Sequence, residues 1–276
     1  MAGLITRFAP SPTGPLHLGH AFSALTAWEQ APGTGFLLRI EDIDRPRCKP
    51  EFEQAILDDL HWLGLDWPVP VMRQSERMAQ YAEALQQLKA MGLTYRCTCT
   101  RGDIRTALSA PQEGAPVIGP DGPVYPGTCR EAGHDADHAA IRLDMRKALH
   151  RAGTLSFTET GPLYPGLHNP QAMAETIGDI VLARRDIGTS YHLAVVVDDA
   201  AQGVTLVTRG ADLFDATPIH VLLQQLLGLP TPHYHHHRLI RDEVGKRLAK
   251  RDDARALARY RAEGATPADI RAMVGL

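Results

Sequence analysis

No stretch constrains this chain more than Arg7-Phe8-Ala9-Pro10-Ser11-Pro12-Thr13-Gly14-Pro15-Leu16-His17-Leu18-Gly19-His20. Leu4-Ile5-Thr6 before it reads as a short strand, and Ala21 to Trp28 after it reads as a helix. Three prolines and two glycines in fourteen residues force a rigid, irregular crossing between the two. Proline fixes φ, and glycine admits backbone conformations closed to other residues. Two histidines, three residues apart, then sit where the helix begins. Strand, turn and helix N-terminus in that order are a common way of presenting a phosphate-binding site. An ordinary loop with two solvated histidines satisfies the same residues, so the sharper reading needs partners elsewhere in the chain.

After Gly33-Thr34-Gly35, the apolar run Phe36 to Ile40 suits a buried parallel strand. It ends in Glu41-Asp42-Ile43-Asp44, carboxylates at the strand end where open α/β sheets bind ligands. Pro50 starts a helix in which Phe52, Ile56, Leu57, Leu60 and Leu63 keep helical spacing up to Gly64. Ser75 is a suitable N-cap for a third helix with Met78, Tyr81, Leu85 and Leu88 on one face. Strand, helix, strand, helix with short joins predicts an α/β fold with a doubly wound, Rossmann-type parallel sheet. From Tyr95 to about Arg151 the pattern changes, with a proline- and glycine-rich run from 111 to 127. Ala139–Leu143 and Thr154–Thr158 are candidate strands of an inserted subdomain, and Asp179–Ala183 reads as a strand returning to the parallel sheet. Tyr191 to Ala201 reads as a helix and Val204–Thr208 as a buried strand leading into Arg209-Gly210. An apolar helix then runs to Leu227 and is closed by Gly228. The expected division is 1–94 and 176–232 as the two halves of the parallel domain, 95–175 as the insert, and 233–276 as a loop with C-terminal helices.

With 44% hydrophobic and 22% charged residues among 276, the chain can bury a full core. No apolar run approaches the roughly 20 residues of a membrane span, and Met1 to Thr6 lacks the charged and apolar halves of a signal peptide. A cytoplasmic protein is the expectation. The net charge of −3 argues against indiscriminate polyanion binding. From Arg238 onward, however, ten basic and six acidic residues give +4, leaving −7 for the remainder. A basic end on an acidic body suits a polyphosphate or nucleic-acid contact; a solvated helix face would look the same. His233 and His235 to His237 point in different directions in sequence, which favours solvation or an occasional ATP contact over a metal site. Cys48 stands alone, whereas Cys97, Cys99 and Cys129 offer three thiols, and zinc takes four ligands. Tyr125, His134 and His138 are the candidates for the fourth. Chemistry alone favours a histidine, because imidazole is a far commoner zinc ligand than phenolate.

The motifs together resemble a known family. Residues 7–20 are similar to the first motif of class I aminoacyl-tRNA synthetases in its glutamyl form. Arg247-Leu248-Ala249-Lys250-Arg251 resembles the second, the mobile Lys-x-Ser-Lys-x loop. Arg247 replaces its first lysine and Ala249 its serine, leaving Lys250 as the matching cation. Arg39 to Asp44, Tyr191 to Asp199 and Thr208 to Gly210 fall in the glutamyl family's order and spacing. The resemblance implies that His17, His20 and Lys250 stabilise charge developing at the α-phosphate of ATP, with Gly19 and Arg247 also at the nucleotide. It implies a glutamate site made of Arg7, Phe8, Ala9, Pro10, Ser11, Glu41, Tyr191 and Arg209. That set makes chemical sense, since guanidinium forks suit the two carboxylates and an acidic group suits the ammonium. Magnesium is expected with ATP. A tRNA-modifying branch of the same family carries Cys-x-Cys followed by Tyr-x-x-x-Cys. This resemblance implies Cys97, Cys99, Tyr125 and Cys129 as ligands of one structural zinc ion, with His134 as the rival.

Only 25 residues follow Arg251, too few for the anticodon-binding domain of a complete glutamyl-tRNA synthetase. The expectation is therefore the stand-alone branch. That branch forms glutamyl-adenylate without tRNA and passes the glutamyl group to queuosine at the wobble position of tRNA(Asp). Its catalytic domain holds the anticodon stem-loop, and a monomer is expected. A catalytic fragment of an ordinary glutamyl-tRNA synthetase and a non-catalytic tRNA- or glutamate-binding paralogue are the rival readings.

Overall fold

The computed structural model describes residues 3–109, 116–241 and 255–276. Its strands are β1 Thr6–Phe8, β2 Phe36–Ile40, β3 Met72–Arg73, β4 Thr94–Cys97, β5 Ile118–Gly119, β6 Gly122–Pro123, β7 Ala140–Leu143, β8 Phe157–Glu159, β9 Gly166–His168, β10 Val181–Ala183, β11 Leu206–Gly210 and β12 His233–His237. β1, β2 and β3 pair in parallel in that order. β11, β12 and β8 form a second parallel set, with β9 antiparallel at its edge. The two sets meet where β1 lies beside β11. There Leu206 N–H donates to Ile5 O at 3.0 Å, and the hydroxyls of Thr6 and Thr208 are 3.2 Å apart. The chain thus winds outward from β1 in one direction and from β11 in the other. The junction is a topological switch point, and the C-terminal strand ends beside it are where such sheets bind ligands.

Helices cover the sheet for the reason their sequences suggest. Leu18–Gln30 buries Ala21, Phe22, Ala24 and Leu25 in a cluster with Phe36, Leu38, Ile56 and Leu60. Each fully buried large apolar side chain contributes about 1.5–3 kcal/mol. The C-terminal helices Leu257–Ala262 and Pro267–Val274 add Leu257, Ile270 and Val274 to the same cluster. Tyr191–Ala201 and Thr217–Leu227 build the second cluster around Leu193, Val195, Ile219 and Leu222. Gly228, at φ +66°, closes the latter helix in the left-handed conformation that favours glycine. Among the described residues no helix is long and apolar enough to cross a membrane.

Four local expectations change. β1 and β11 each begin two residues later than Leu4 and Val204, so Arg7 and Arg209 lie within strands rather than beyond them. Ser75 is not an N-cap. Its N–H and Oγ donate to the two Asp42 oxygens at 2.8 and 2.6 Å. The third helix starts at Met78, after Arg77 pairs with buried Asp198 at 2.6 Å. The strand expected at 154–158 is β8, which joins the parallel sheet through Tyr234 opposite Glu159 instead of serving the insert. The strand expected to return to that sheet at 179–183 is β10, which pairs antiparallel with β7, itself antiparallel to β4. Asp179 explains that choice. Its buried carboxylate accepts from Tyr95 Oη at 2.6 Å, Arg130 Nη2 at 2.7 Å and Met145 N at 2.9 Å, which ties β10 to that side.

Candidate active site

A cleft of about 380 Å³ opens at the C-terminal ends of β1, β2, β11 and β12. Arg7 to Ser11, Glu41, Tyr191 and Arg209 all line it. His17, Gly19 and His20 also line it. All the glutamate-side candidates thus come together with the helix-start histidines. Lys250 and Arg247 lie outside the described residues. The chain re-enters the described structure beside the histidines, where Leu257 N–H donates to Leu16 O at 2.9 Å and His17 bridges to Ala256.

The proline turn is held to the sheet by backbone bonds. Glu41 N–H donates to Pro10 O and Lys49 N–H to Pro12 O, both at 3.0 Å. Within the turn, Thr13 N–H donates to Ser11 O. At the helix start His17 is the N-cap. Its Nδ1 accepts from Gly19 N–H at 3.1 Å, and His20 Nδ1 accepts from His17 N–H at 3.1 Å. With Nδ1 an acceptor in both rings, each neutral imidazole carries its proton on Nε2. The rings, 3.7 Å apart, present N–H donors at the positive end of a helix, an arrangement suited to an anionic oxygen.

Beneath the cleft floor lies an ionic array that sequence reading did not anticipate. Arg7 donates through Nε and Nη2 to the two oxygens of Asp199 at 2.9 and 3.2 Å, and through Nη1 to Thr208 O at 3.3 Å. Arg39, fully buried, donates to Asp199 at 2.7 Å, to Gln202 at 2.9 Å and to Glu41 at 3.2 Å. Burial works against the Asp199 carboxylate, but Arg7 and Arg39 outweigh it and hold its pKa below the usual range. Burial raises that of Glu41 despite Arg39 and Arg7. Arg7 commits three of its five N–H groups in this array, leaving a cationic edge on the cleft wall.

Arg209 is held as firmly. Its Nη2 donates to Thr217 Oγ1 at 2.8 Å and Leu213 O at 3.2 Å. Its Nε donates to His236 Nε2 at 3.1 Å, and Nη1 lies 3.0 Å from His220 Nδ1. His236 Nδ1 in turn meets Glu159 Oε2 at 2.5 Å. The histidine run expected to be solvated is therefore a central strand. His236 is buried under Arg209, and His237 donates to or accepts from Ser23 Oγ at 3.0 Å at the cleft wall. Burial lowers the pKa of His220 well below its ordinary value, with Arg209 acting in the same sense, so His220 is neutral. The sequence did carry a signal for Asp199: two adjacent carboxylates, Asp198-Asp199, inside an otherwise apolar helix.

The cysteines also converge. The three sulfurs of Cys97, Cys99 and Cys129 lie within 4.8 Å of one another and could hold a metal ion. Tyr125 Oη is 3.4 Å from both Cys97 Sγ and Cys99 Sγ, and accepts from Cys129 N–H at 2.9 Å. Burial opposes ionisation of Cys129, but hydrogen bonds from Tyr125 and from the Thr98 backbone bring its pKa down to about 5. Arg142 stacks on the Tyr125 ring, 3.9 Å from its centroid, while burial and the hydrogen bonds to Cys129, Cys97 and Cys99 push the Tyr125 phenol well above its ordinary pKa. His134 Nε2 sits 3.4 Å from Thr98 Oγ1 at the rim of the cluster. Three clustered thiols, with a phenol oxygen 3.4 Å from two of them, fit a sulfur-rich metal site.

Comparison with known proteins agrees with this geometry. The family profile for "tRNA synthetases class I (E and Q), catalytic domain" matches residues 3–276. A protein of Rhodobacter capsulatus named glutamyl-Q tRNA(Asp) synthetase is 62% identical, over 99% of this chain and 100% of that protein. One of the same name from Nocardia farcinica is 45% identical, over 97% of this chain and 82% of its own length. The crystal structure of a glutamate-tRNA synthetase from Elizabethkingia anophelis superimposes with a TM-score of 0.74 at 26% identity. It matches 99% of this chain, which spans only 61% of that structure. By a match along nearly its whole length, and by its kinship with relatives named glutamyl-Q tRNA(Asp) synthetase, the chain belongs to the class I tRNA synthetase (E and Q) catalytic-domain family, a family of ligases.

Proposed function

We propose that the cleft activates L-glutamate with ATP and that the enzyme then transfers the glutamyl group to queuosine of tRNA(Asp). The observation that carries the first step is the meeting of Arg7, Arg209 and Glu41 with His17 and His20 in one cleft. The two uncommitted N–H groups of Arg7, one on each terminal nitrogen, and the remaining Nη1–H of Arg209 receive the substrate carboxylates, and Glu41 receives the ammonium. The α-carboxylate oxygen attacks the α-phosphorus in line. A phosphorus–oxygen bond forms, the bond to pyrophosphate breaks, and pyrophosphate leaves with its electron pair. Nε2–H of His17 and His20, with Lys250 from the loop outside the described residues, offsets the charge that grows on the phosphate oxygens. Magnesium enters with ATP as part of that substrate. In the second step a queuosine hydroxyl oxygen attacks the acyl carbon of the mixed anhydride, the acyl carbon–oxygen bond to phosphate breaks, and AMP departs with that electron pair, its phosphate oxygen taking up the hydroxyl proton. The choice of acceptor rests on the names of the relatives. We place the anticodon stem-loop against the side built by β4, β7, β10 and the cysteine cluster.

Two assays test this reading. Pyrophosphate exchange that depends on glutamate and needs no tRNA is expected; its absence in a folded protein would favour a non-catalytic paralogue. Labelled glutamate should pass to tRNA(Asp) bearing queuosine and not to the same tRNA lacking it. Labelling of tRNA(Glu) alone would refute the acceptor and favour an ordinary synthetase fragment.

For the cysteine cluster we propose one zinc ion held by Cys97, Cys99, Cys129 and Tyr125, cross-linking the segment that carries them. Elemental analysis should find about one zinc per chain. Tyr125→Phe is expected to weaken zinc by at least roughly 10–100-fold in competition with a chromogenic chelator, since even a contact that only supports a ligand is worth that much. His134→Ala should leave it nearly unchanged, and the reverse ranking would make His134 the fourth ligand.

A further inference from the structure

Arg209 is the head of a directed chain of hydrogen bonds that leaves the cleft and ends on another part of the fold. Arginine only donates, so His220 Nδ1, 3.0 Å from Arg209 Nη1, accepts. The His220 proton is then on Nε2, which lies 3.0 Å from His192 Nδ1. His192 Nδ1 accepts in turn, and its Nε2–H donates to the Asp121 carboxylate at 2.9 and 3.1 Å. One cation at the start and one carboxylate at the end assign every proton between them. His220 and His192 are buried, whereas the Asp121 side chain is 54% exposed. Asp121 sits in the turn between β5 and β6, four residues before Tyr125 of the cysteine cluster. None of these three residues belongs to the glutamate contacts proposed above.

The geometry points to a positioning relay, Asp121–His192–His220, that orients Arg209 and ties the β5–β6 hairpin to the amino-acid cleft. The other path from Arg209, through His236 to Glu159, is wholly buried and lies within the parallel sheet. The Asp121 path is the one that ends on an exposed turn of another part of the fold. Each imidazole accepts on the side of the cation and donates on the side of the carboxylate, so the chain restrains the guanidinium plane. A guanidinium free to rotate would lose the direction of its one uncommitted N–H, whereas a restrained one keeps that donor in place for a substrate carboxylate. Placement of the hairpin is thereby felt at the residue proposed to grip the substrate, and the consequence for catalysis rests on that proposal.

The test is glutamate-dependent pyrophosphate exchange by the full chain, joined to 15N spectra of its imidazoles. Asp121→Ala should raise the glutamate KM about 5- to 20-fold, the worth of one charge-assisted hydrogen bond at a half-exposed position, with the ATP KM unchanged. Asp121→Glu, which restores the carboxylate, should recover most of it. Asp137→Ala, an exposed carboxylate paired with Arg96, serves as the neutral control. The spectra should show the Nε2–H form at His192 and His220, with both rings displaced by Asp121→Ala and neither by Asp137→Ala. If Asp121→Ala leaves the glutamate KM within twofold while Arg209→Ala raises it, the relay is overturned and the reading of the cleft survives. If Arg209→Ala leaves the glutamate KM unchanged, the reading of the cleft falls and the relay is judged on the spectra. An unshifted His220 in Asp121→Ala then overturns it, and a shifted one supports it.

Discussion

Replacing Asp199 with asparagine is expected to cost about 3–5 kcal/mol of folding stability at neutral pH, the scale of breaking a buried ion pair from one side. Asp199 is the carboxylate shared by two guanidinium groups, Arg7 and Arg39, and all three side chains are at most 6% exposed. Without its charge, two buried cations are left facing Glu41, whose own ionisation burial already disfavours. Asparagine can still accept a hydrogen bond, but it cannot offset two positive charges at 2.7 and 2.9 Å. The pH dependence has a definite sign. The folded-state pKa of Asp199 lies below its unfolded value of about 3.9. Its contribution is therefore complete above pH ~4 and is lost as pH falls through the folded value. The stability gap between wild type and Asp199→Asn should be largest at neutral pH and narrow toward acid. Urea unfolding at pH 7 and at pH 3 measures this; a gap under about 1 kcal/mol at pH 7, or one that widens in acid, would contradict the account. The same variant should lose glutamate activation, because Arg7 would no longer be held at the cleft wall.

Replacing Arg209 with alanine is expected to lower kcat/KM for glutamate by about 10²–10³-fold, the scale of removing one partner of a buried charged contact. Thr217, Leu213 O, His220 and His236 take four of its five N–H groups, so the guanidinium is oriented before any substrate arrives. Such an arrangement exchanges little conformational entropy on binding. Arg209→Lys should lose nearly as much, since an ammonium cannot reach these four partners and still hold a donor toward the substrate. The ATP KM should stay within about threefold in both variants, because the proposed nucleotide contacts lie at His17 and His20. Steady-state exchange kinetics against each substrate separates the two effects. A glutamate KM unchanged in Arg209→Ala would remove this residue from the amino-acid site.

These expected losses fall on residues that were legible to different degrees. Arg7 and Arg209 stand in the sequence beside recognisable turns, and both reach the cleft. Asp199, which holds Arg7, is 192 positions away from it along the chain. His236 looked like one of several solvated histidines, because a run of like residues carries no local mark of the strand that buries it. Glu159 and Asp121 carried no mark either. Each draws its part from a contact with a residue far along the chain: Glu159 from His236, and Asp121 from His192.

The sequence by itself determined the order strand, turn and helix around residues 4–28, though not the bounds of its strand, and also the strand Phe36–Ile40, the helix Tyr191–Ala201 and the glycine stop at 228. Proline and glycine geometry, apolar periodicity and capping act over a few residues, so they can be read locally. Tertiary structure alone decided that β8 joins the parallel sheet while β10 pairs with β7. It also decided that Asp199 links two arginines and that Arg209 is wired to Asp121. Strand partners and buried charge pairs are chosen by which distant groups can satisfy one another once water is excluded, and no short window of sequence contains both halves of that choice.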